Sequence, residues 1–213
     1  MKSRQADRWL LLILMVATAA IRLLAVDRES LWFDEAVSYL AAELPIGEIL
    51  NNTVQSSHPP LYYLLLHFWL SIVPDGDGAS RLLGLAWNVL LIPTIYLLAQ
   101  ELFSNRRLAL GAAFLVAISP FHVLFSHELR MYTQLMTLVT FGIWAYLRAT
   151  RSTAAGNNYG RHWAYWLLFL LCFGGAVYTH LFAWLALGAI TLYAIIHHRD
   201  RQNLWLTLAA VTT

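Results

Sequence analysis

Residues 61–73 read LYYLLLHFWLSIV, and whether this stretch crosses a bilayer decides the side on which every later loop falls. It has thirteen residues with His67 at its middle, whereas a crossing helix needs about 20 mostly apolar residues. Immediately before it stands His58-Pro59-Pro60. Pro59 holds His58 extended, and Pro60 suits the first turn of a following helix. The stretch therefore predicts a short re-entrant or interfacial helix.

The rest of the chain sets that helix in a membrane protein. The 213 residues are 59% hydrophobic and only 12% charged, with a mean hydropathy of +0.57. Runs such as WLLLILMVATAA, LALGAAFLVAIS and LFAWLALGAITLYAII are too long and uniform for the amphipathic helices of a soluble domain. Spans are predicted at 9–26, 82–102, 108–125, 133–148 and 179–196, with a sixth at 163–178 and the start of another at 204–213. The expected fold is an all-α polytopic membrane protein, one transmembrane module over 1–213 that is the N-terminal part of a longer product. The first span runs on through Val26, beyond a signal-peptide core, so it reads as a retained anchor. Cys172 is the only cysteine, which excludes an internal disulfide and CxxC chemistry.

Charge orients the chain. Lys2, Arg4 and Arg8 precede the first span, and Arg106 and Arg107 follow 82–102. Arg148, Arg151 and Arg161 follow 133–148, and Arg199 and Arg201 follow 179–196. With all four clusters and the N-terminus in the cytoplasm, 27–81, 126–132 and the turn near His180 lie outside. Nine acids, from Asp27 to Glu128, fall on that same outer side. This parity holds only if 61–73 does not cross.

The outer loop 27–81 has helical patterns of its own. After Asp34, read as an N-cap, Val37, Leu40, Ala41 and Leu44 recur at helical spacing, as do Ile46, Ile49, Leu50 and Val54 after Pro45. Each predicts a short helix with one greasy face at the membrane interface. Residues 149–162 read as a polar cytoplasmic connector.

Polar groups with chemical potential collect on the outer side: Asp34-Glu35, His58 of the HPP element, Arg81 at the mouth of a span, and His127, Glu128, Arg130 and Tyr132 within HELRMY. Singly, each has a structural explanation. Acids favour a helix's first turn, HPP breaks the chain, arginines snorkel, and Glu128 and Arg130 neutralise one another. Together they make a coherent set, with arginines and histidine to hold a phosphate and carboxylates to take a hydroxyl proton or a metal. Elsewhere, Arg22 reads as snorkelling, Trp163, Trp166, Tyr178 and Trp184 as belt or packing aromatics, His197 and His198 as a cytoplasmic flank, and His122 and Asn88 as packed within spans. Tyr178-Thr179-His180 is a further candidate on the outer side.

In order along the chain, WFDEA, HPPLYYLLLHFW, ASRLLGLAWN and SPFHVLFSHELRMYTQLM resemble the membrane-embedded GT-C glycosyltransferases. The likeness is to the branch of protein O-mannosyltransferases, aminoarabinose transferases and RgtA/B/C/D-like domains, and it runs from Arg22 to Arg148. The resemblance implies a polyprenyl-phosphate sugar donor and a lipid, glycan or protein acceptor, with transfer on the outer face and inversion at the sugar. By motif position, Asp34 is the catalytic carboxylate and Glu35 its support, through a hydrogen bond or a divalent metal. His58, Arg81 and Arg130 bind the donor phosphate, and His127, Glu128 and Tyr132 complete the substrate site. Besides membrane lipids no other partner is implied, and nucleic acid is not. Two rival readings are a transporter or flippase of lipid-linked anions and a non-catalytic lipid-phosphate-binding protein.

Overall fold

In the computed structural model, which describes residues 2–55, 58–154, 159–197 and 201–212, every regular element is an α helix. In chain order these are α1 (Lys2–Leu23), α2 (Phe33–Glu43), α3 (Ile46–Gln55), α4 (Leu61–Leu70), α5 (Asp77–Phe103), α6 (Arg106–Ile118), α7 (Pro120–Ser126), α8 (Tyr132–Ala154), α9 (Tyr159–Val177), α10 (Ala183–His197) and α11 (Arg201–Thr212). Arg199 and His198 lie outside the described residues, as do 155–158 of the polar connector.

The long helix α5 is the axis of the bundle, and local chemistry fixes both its ends. It starts after Gly76, whose φ of 150° suits glycine alone. The Asp27 carboxylate then accepts the Gly78 N–H at 3.1 Å. At the other end Ser104, in the left-handed region at φ 51°, returns its N–H to Gln100 O at 3.0 Å. Asn105 caps α6 through the N–H groups of Arg107 and Leu108. Pro120 then separates α6 from α7 with a bend of 56°.

Contacts between helices give their directions. Asp7 in α1 pairs with Arg106 and accepts from Tyr96, while Arg22 at the far end of α1 donates to Ala117 O at 3.1 Å. Thus α1 is antiparallel to α5. Thr137 bonds Trp87 O, and Arg148 and Arg151 reach Glu101, so α8 runs parallel to α5. One end of the bundle therefore collects Asp7, Glu101, Arg106, Arg148 and Arg151, and the other carries α2, α3 and α4.

Both ends of α4 lie at that second end. Leu61 N–H donates to Tyr178 O at 2.9 Å, and Trp69 Nε1 donates to Ala79 O at 3.0 Å, beside the start of α5. Its ten residues span about 15 Å, so the helix lies across the bundle's end. There it forms one apolar cluster with Ala42, Ile49, Leu129 and Met131.

Several expectations change. Among the described residues α5 is long and apolar enough by itself to cross a membrane, and α6 with α7 passes the same test as one bent span. The apolar parts of α9 and α10 are shorter, His162–Val177 and Ala183–His197. The second starts late because residues 178–182 form a turn, in which His180 Nδ1 accepts the Phe182 N–H and the His180 carbonyl accepts the Ala183 N–H. Asp34 does not cap α2. Trp32 does, and Asp34 is the helix's second residue. Arg22 is only 1% exposed and does not snorkel. In keeping with an interfacial helix, the greasy face of α2 is exposed through Phe33, Val37 and Leu40, while Glu35, Ser38 and Ala42 are buried.

Candidate active site

The first turn of α2 sends its two acids into opposite environments. Glu35, at 0% exposure, is enclosed by three segments. Arg81 grips it through two hydrogen bonds, Nε to Oε1 at 3.0 Å and Nη2 to Oε2 at 2.6 Å. The Leu129 N–H donates to Oε1 at 2.6 Å, and the Trp32 N–H to Oε2 at 3.3 Å. Arg81 spends its remaining donors on backbone carbonyls: Nη1 on Val26 and Glu29, Nη2 on Ser30. A buried, bidentate ion pair with its hydrogen bonds filled is a strong fixture. Neither residue lines the neighbouring cleft.

Asp34 is the other case. Its side chain is 43% exposed, and Arg130 Nη2 stands 3.8 Å from its Oδ2. Arg130 is itself held in place, for Nη1 donates to the Asp34 carbonyl at 3.2 Å and to Ser38 Oγ at 3.4 Å. Its guanidinium also sits over the Tyr132 ring, 5.7 Å from the centroid. Burial works to lower the Arg130 pKa. The Tyr132 hydrogen bond and the charges of Tyr132, Asp34 and Tyr63 outweigh it and leave the group above its ordinary value.

These two residues face a cleft of about 340 Å³. Asn52, His58 and Tyr63 complete its polar side, and Phe33, Val37, Ala41 and Ile49 form its apolar side. His58 meets His180 edge-on at 6.1 Å, and His180 lies 6.3 Å from Tyr132. Burial, with the charges of His58 and Arg130, holds His180 below the usual histidine range. Because its Nδ1 accepts the Phe182 N–H, the neutral ring carries its proton on Nε2.

Of the residues expected in the site, the cleft brings together Asp34, His58 and Arg130. Glu35 and Arg81 stand behind it as a clamp. His127 turns toward α1, its Nε2 2.9 Å from the Arg22 carbonyl. Tyr132 sits against Arg130 without lining the cleft. Glu128 is half-buried, and burial followed by the charge of Glu35 pushes its carboxyl above the usual range, against the pull of Arg130. Sequence reasoning did not single out Ser38, one helical turn after Asp34, or Tyr63 and Asn52. Helical spacing from Asp34 would have found Ser38.

The donor set does not fit a divalent cation. Both Glu35 oxygens are taken by Arg81 and backbone N–H groups. Asp34 has an arginine as its charged neighbour, and among the described residues no three His, Cys, Asp or Glu side chains converge.

Comparison with known proteins agrees with this architecture. No curated protein matches the sequence. Among solved structures, the S. cerevisiae protein O-mannosyltransferase Pmt1-Pmt2 complex bound to the sugar donor superposes with a TM-score of 0.74 at 16% identity. The superposition covers 97% of this chain and 31% of that one. The Archaeoglobus fulgidus oligosaccharyltransferase AglB, in complex with an inhibitory peptide and a dolichol-phosphate, gives 0.66 at 18% identity, over 96% of this chain and 28% of that one. The apo oligosaccharyltransferase of the same organism gives 0.64 at 19%, over 94% and 28%. At these identities the likeness concerns the fold, the GT-C helix bundle, and this chain spans about a third of those proteins' length. Residues 57–213 match the family described as dolichyl-phosphate-mannose-protein mannosyltransferase. With most of its length inside that match, the chain belongs to the dolichyl-phosphate-mannose-protein mannosyltransferase family.

Proposed function

We propose that this chain carries the donor site and the catalytic base of a membrane glycosyltransferase, which moves a sugar from a polyprenyl-phosphate donor to an acceptor hydroxyl. The observation that carries the reading is the pairing of Asp34 with Arg130 in a cleft that is apolar on one wall and polar on the other. A lipid-linked sugar phosphate has that same division. The family's description and the sugar donor and dolichol-phosphate bound by two fold relatives support a donor of this class.

In this reading Asp34 accepts the proton of the acceptor hydroxyl as its oxygen attacks the anomeric carbon. The bond from that carbon to the phosphate oxygen breaks, and the electron pair leaves with the phosphate. Arg130 and His58 stabilise the charge that develops there. A single displacement inverts the anomeric centre. Glu35 and Arg81 are positioning residues, which fix Asp34 and Arg130 against one another by joining α2 to α5 and to the loop of Leu129. The segment 27–81 with its short helices is the site-bearing loop. Its end of the bundle faces outward, opposite the arginine clusters.

The test is transfer from a polyprenyl-phosphate sugar by the purified protein and its Asp34→Asn variant. A general base is worth about 10²–10⁴-fold, so turnover should fall by that factor while the donor still binds. Substantial turnover in the variant would remove Asp34 from the chemistry.

A further inference from the structure

The end of the bundle away from Asp34 has a second cleft, of about 440 Å³, between α1 and α5 at the start of α6. Its apolar wall is Leu11, Pro93 and Leu97, and its polar wall is Asp7, Arg8, Gln100 and Arg106. Asp7 is buried and already committed, accepting from Tyr96 Oη at 3.0 Å and pairing with Arg106. Arg8, next in sequence, is exposed and has no acid partner among the described residues. The Gln100 side-chain oxygen is buried with no hydrogen-bond partner, a state that costs free energy until a donor is supplied. Two arginines against one aspartate leave the wall positive, at the same end as Arg148 and Arg151.

We propose that this cleft holds the headgroup of an anionic phospholipid from the leaflet at the arginine-rich end, one whose phosphodiester carries a hydroxyl-bearing group. The phosphate sits on Arg8, which suits it in charge and donor geometry. A headgroup hydroxyl donates to Gln100, whose terminal amide torsion is broad and can turn its oxygen to the cleft. One acyl chain follows Leu11, Pro93 and Leu97. Basic pockets between helices at such an end favour anionic headgroups. Three features narrow the choice. The apolar wall gives a soluble phosphate nothing to cover it. A choline group lacks a donor for Gln100 and places a cation near Arg8. Asp7 disfavours a headgroup of higher negative charge.

Native mass spectrometry of the full chain, released from nanodiscs of phosphatidylglycerol mixed with phosphatidylcholine, reads the preference directly. The hydroxyl–Gln100 hydrogen bond, which phosphatidylcholine cannot make, corresponds to a preference of about two- to tenfold for phosphatidylglycerol. Arg8→Gln and Gln100→Leu should each bring the ratio toward parity, and circular dichroism should show both variants folded. Equal retention of the two lipids, an unchanged ratio in either variant, or displacement of the lipid by inorganic phosphate overturns the proposal.

Discussion

Asp34 and Glu35 are neighbours in sequence with opposite surroundings, one partly open beside Arg130 and the other sealed against Arg81. Substitution should separate them. Glu35→Gln leaves the Arg81 guanidinium buried without its counter-charge, and loss of one partner of a buried pair costs about 3–5 kcal/mol. The purified variant should show a clearly lower Tm than wild type, whereas Asp34→Asn, at a half-open position, should leave Tm nearly unchanged. Equal thermal stability of the two variants would count against the clamp. Glu128 offers a test by pH. Its carboxyl is held above the usual range by burial and then by Glu35, so the folded state binds its proton more tightly than the unfolded chain. Stability is then fully present below the unfolded value and is lost as pH rises through the folded one. Glu128→Gln should stabilise the protein at neutral pH and leave it unchanged in acid, as read by Tm across a pH series.

At the scale of elements, two glycines hold the framework close. A Cβ on Gly84 would lie 3.0 Å from the Glu128 carbonyl oxygen, which is backbone and belongs to the loop that carries Arg130. Gly84→Ala should therefore push that loop away from α5 and weaken donor binding, although it removes no charged group. A titration with a polyprenyl phosphate checks this. On Gly142 a Cβ would come within 2.6 Å of the Phe173 ring, where α8 packs on α9. Overpacking of that kind costs about 1–3 kcal/mol, a loss of Tm with donor affinity kept. Much at this scale was legible in the sequence. HPP and the short run after it foretold α4, and the charge count foretold that α4 stays at one end. The turn at 178–182 was not legible, because a side-chain acceptor, His180 Nδ1, joins backbone bonds such as Thr179 N–H to Ala176 O in forming it. Nor was the fate of Glu35 and Arg81. Nothing in spacing shows that Leu129, 94 positions from Glu35, brings a backbone N–H to the same carboxylate.

For the whole molecule, the helix directions set α2, α4 and Arg130 at one end and the paired arginines at the other. Reporters fused near Gly76 and near Arg130 should both register the outer face, and a cytoplasmic signal at either would break the orientation. Fold class was readable from apolar runs alone, since long hydrophobic stretches leave few alternatives to helix. Several predicted spans correspond to helices that, among the described residues, are shorter or more polar than a run of apolar letters suggests. Thr133, Gln134 and Thr137, all buried, dilute the hydropathy of α8, and charges do the same for α1. A run of apolar letters does not show which polar residues turn inward against a neighbour.

The Glu35 clamp also bears on biosynthesis. Its four hydrogen-bonding contacts come from Trp32, Arg81 and Leu129, segments that leave the ribosome in that order. Until residue 129 has emerged, the nascent chain has the acid and its arginine but not the third segment. A growing polypeptide therefore places Asp34 in its final register only after α7 has been made. Insertion of the helices before Leu129 and maturation of the reactive centre are then separate events in time, with Leu129 marking the second.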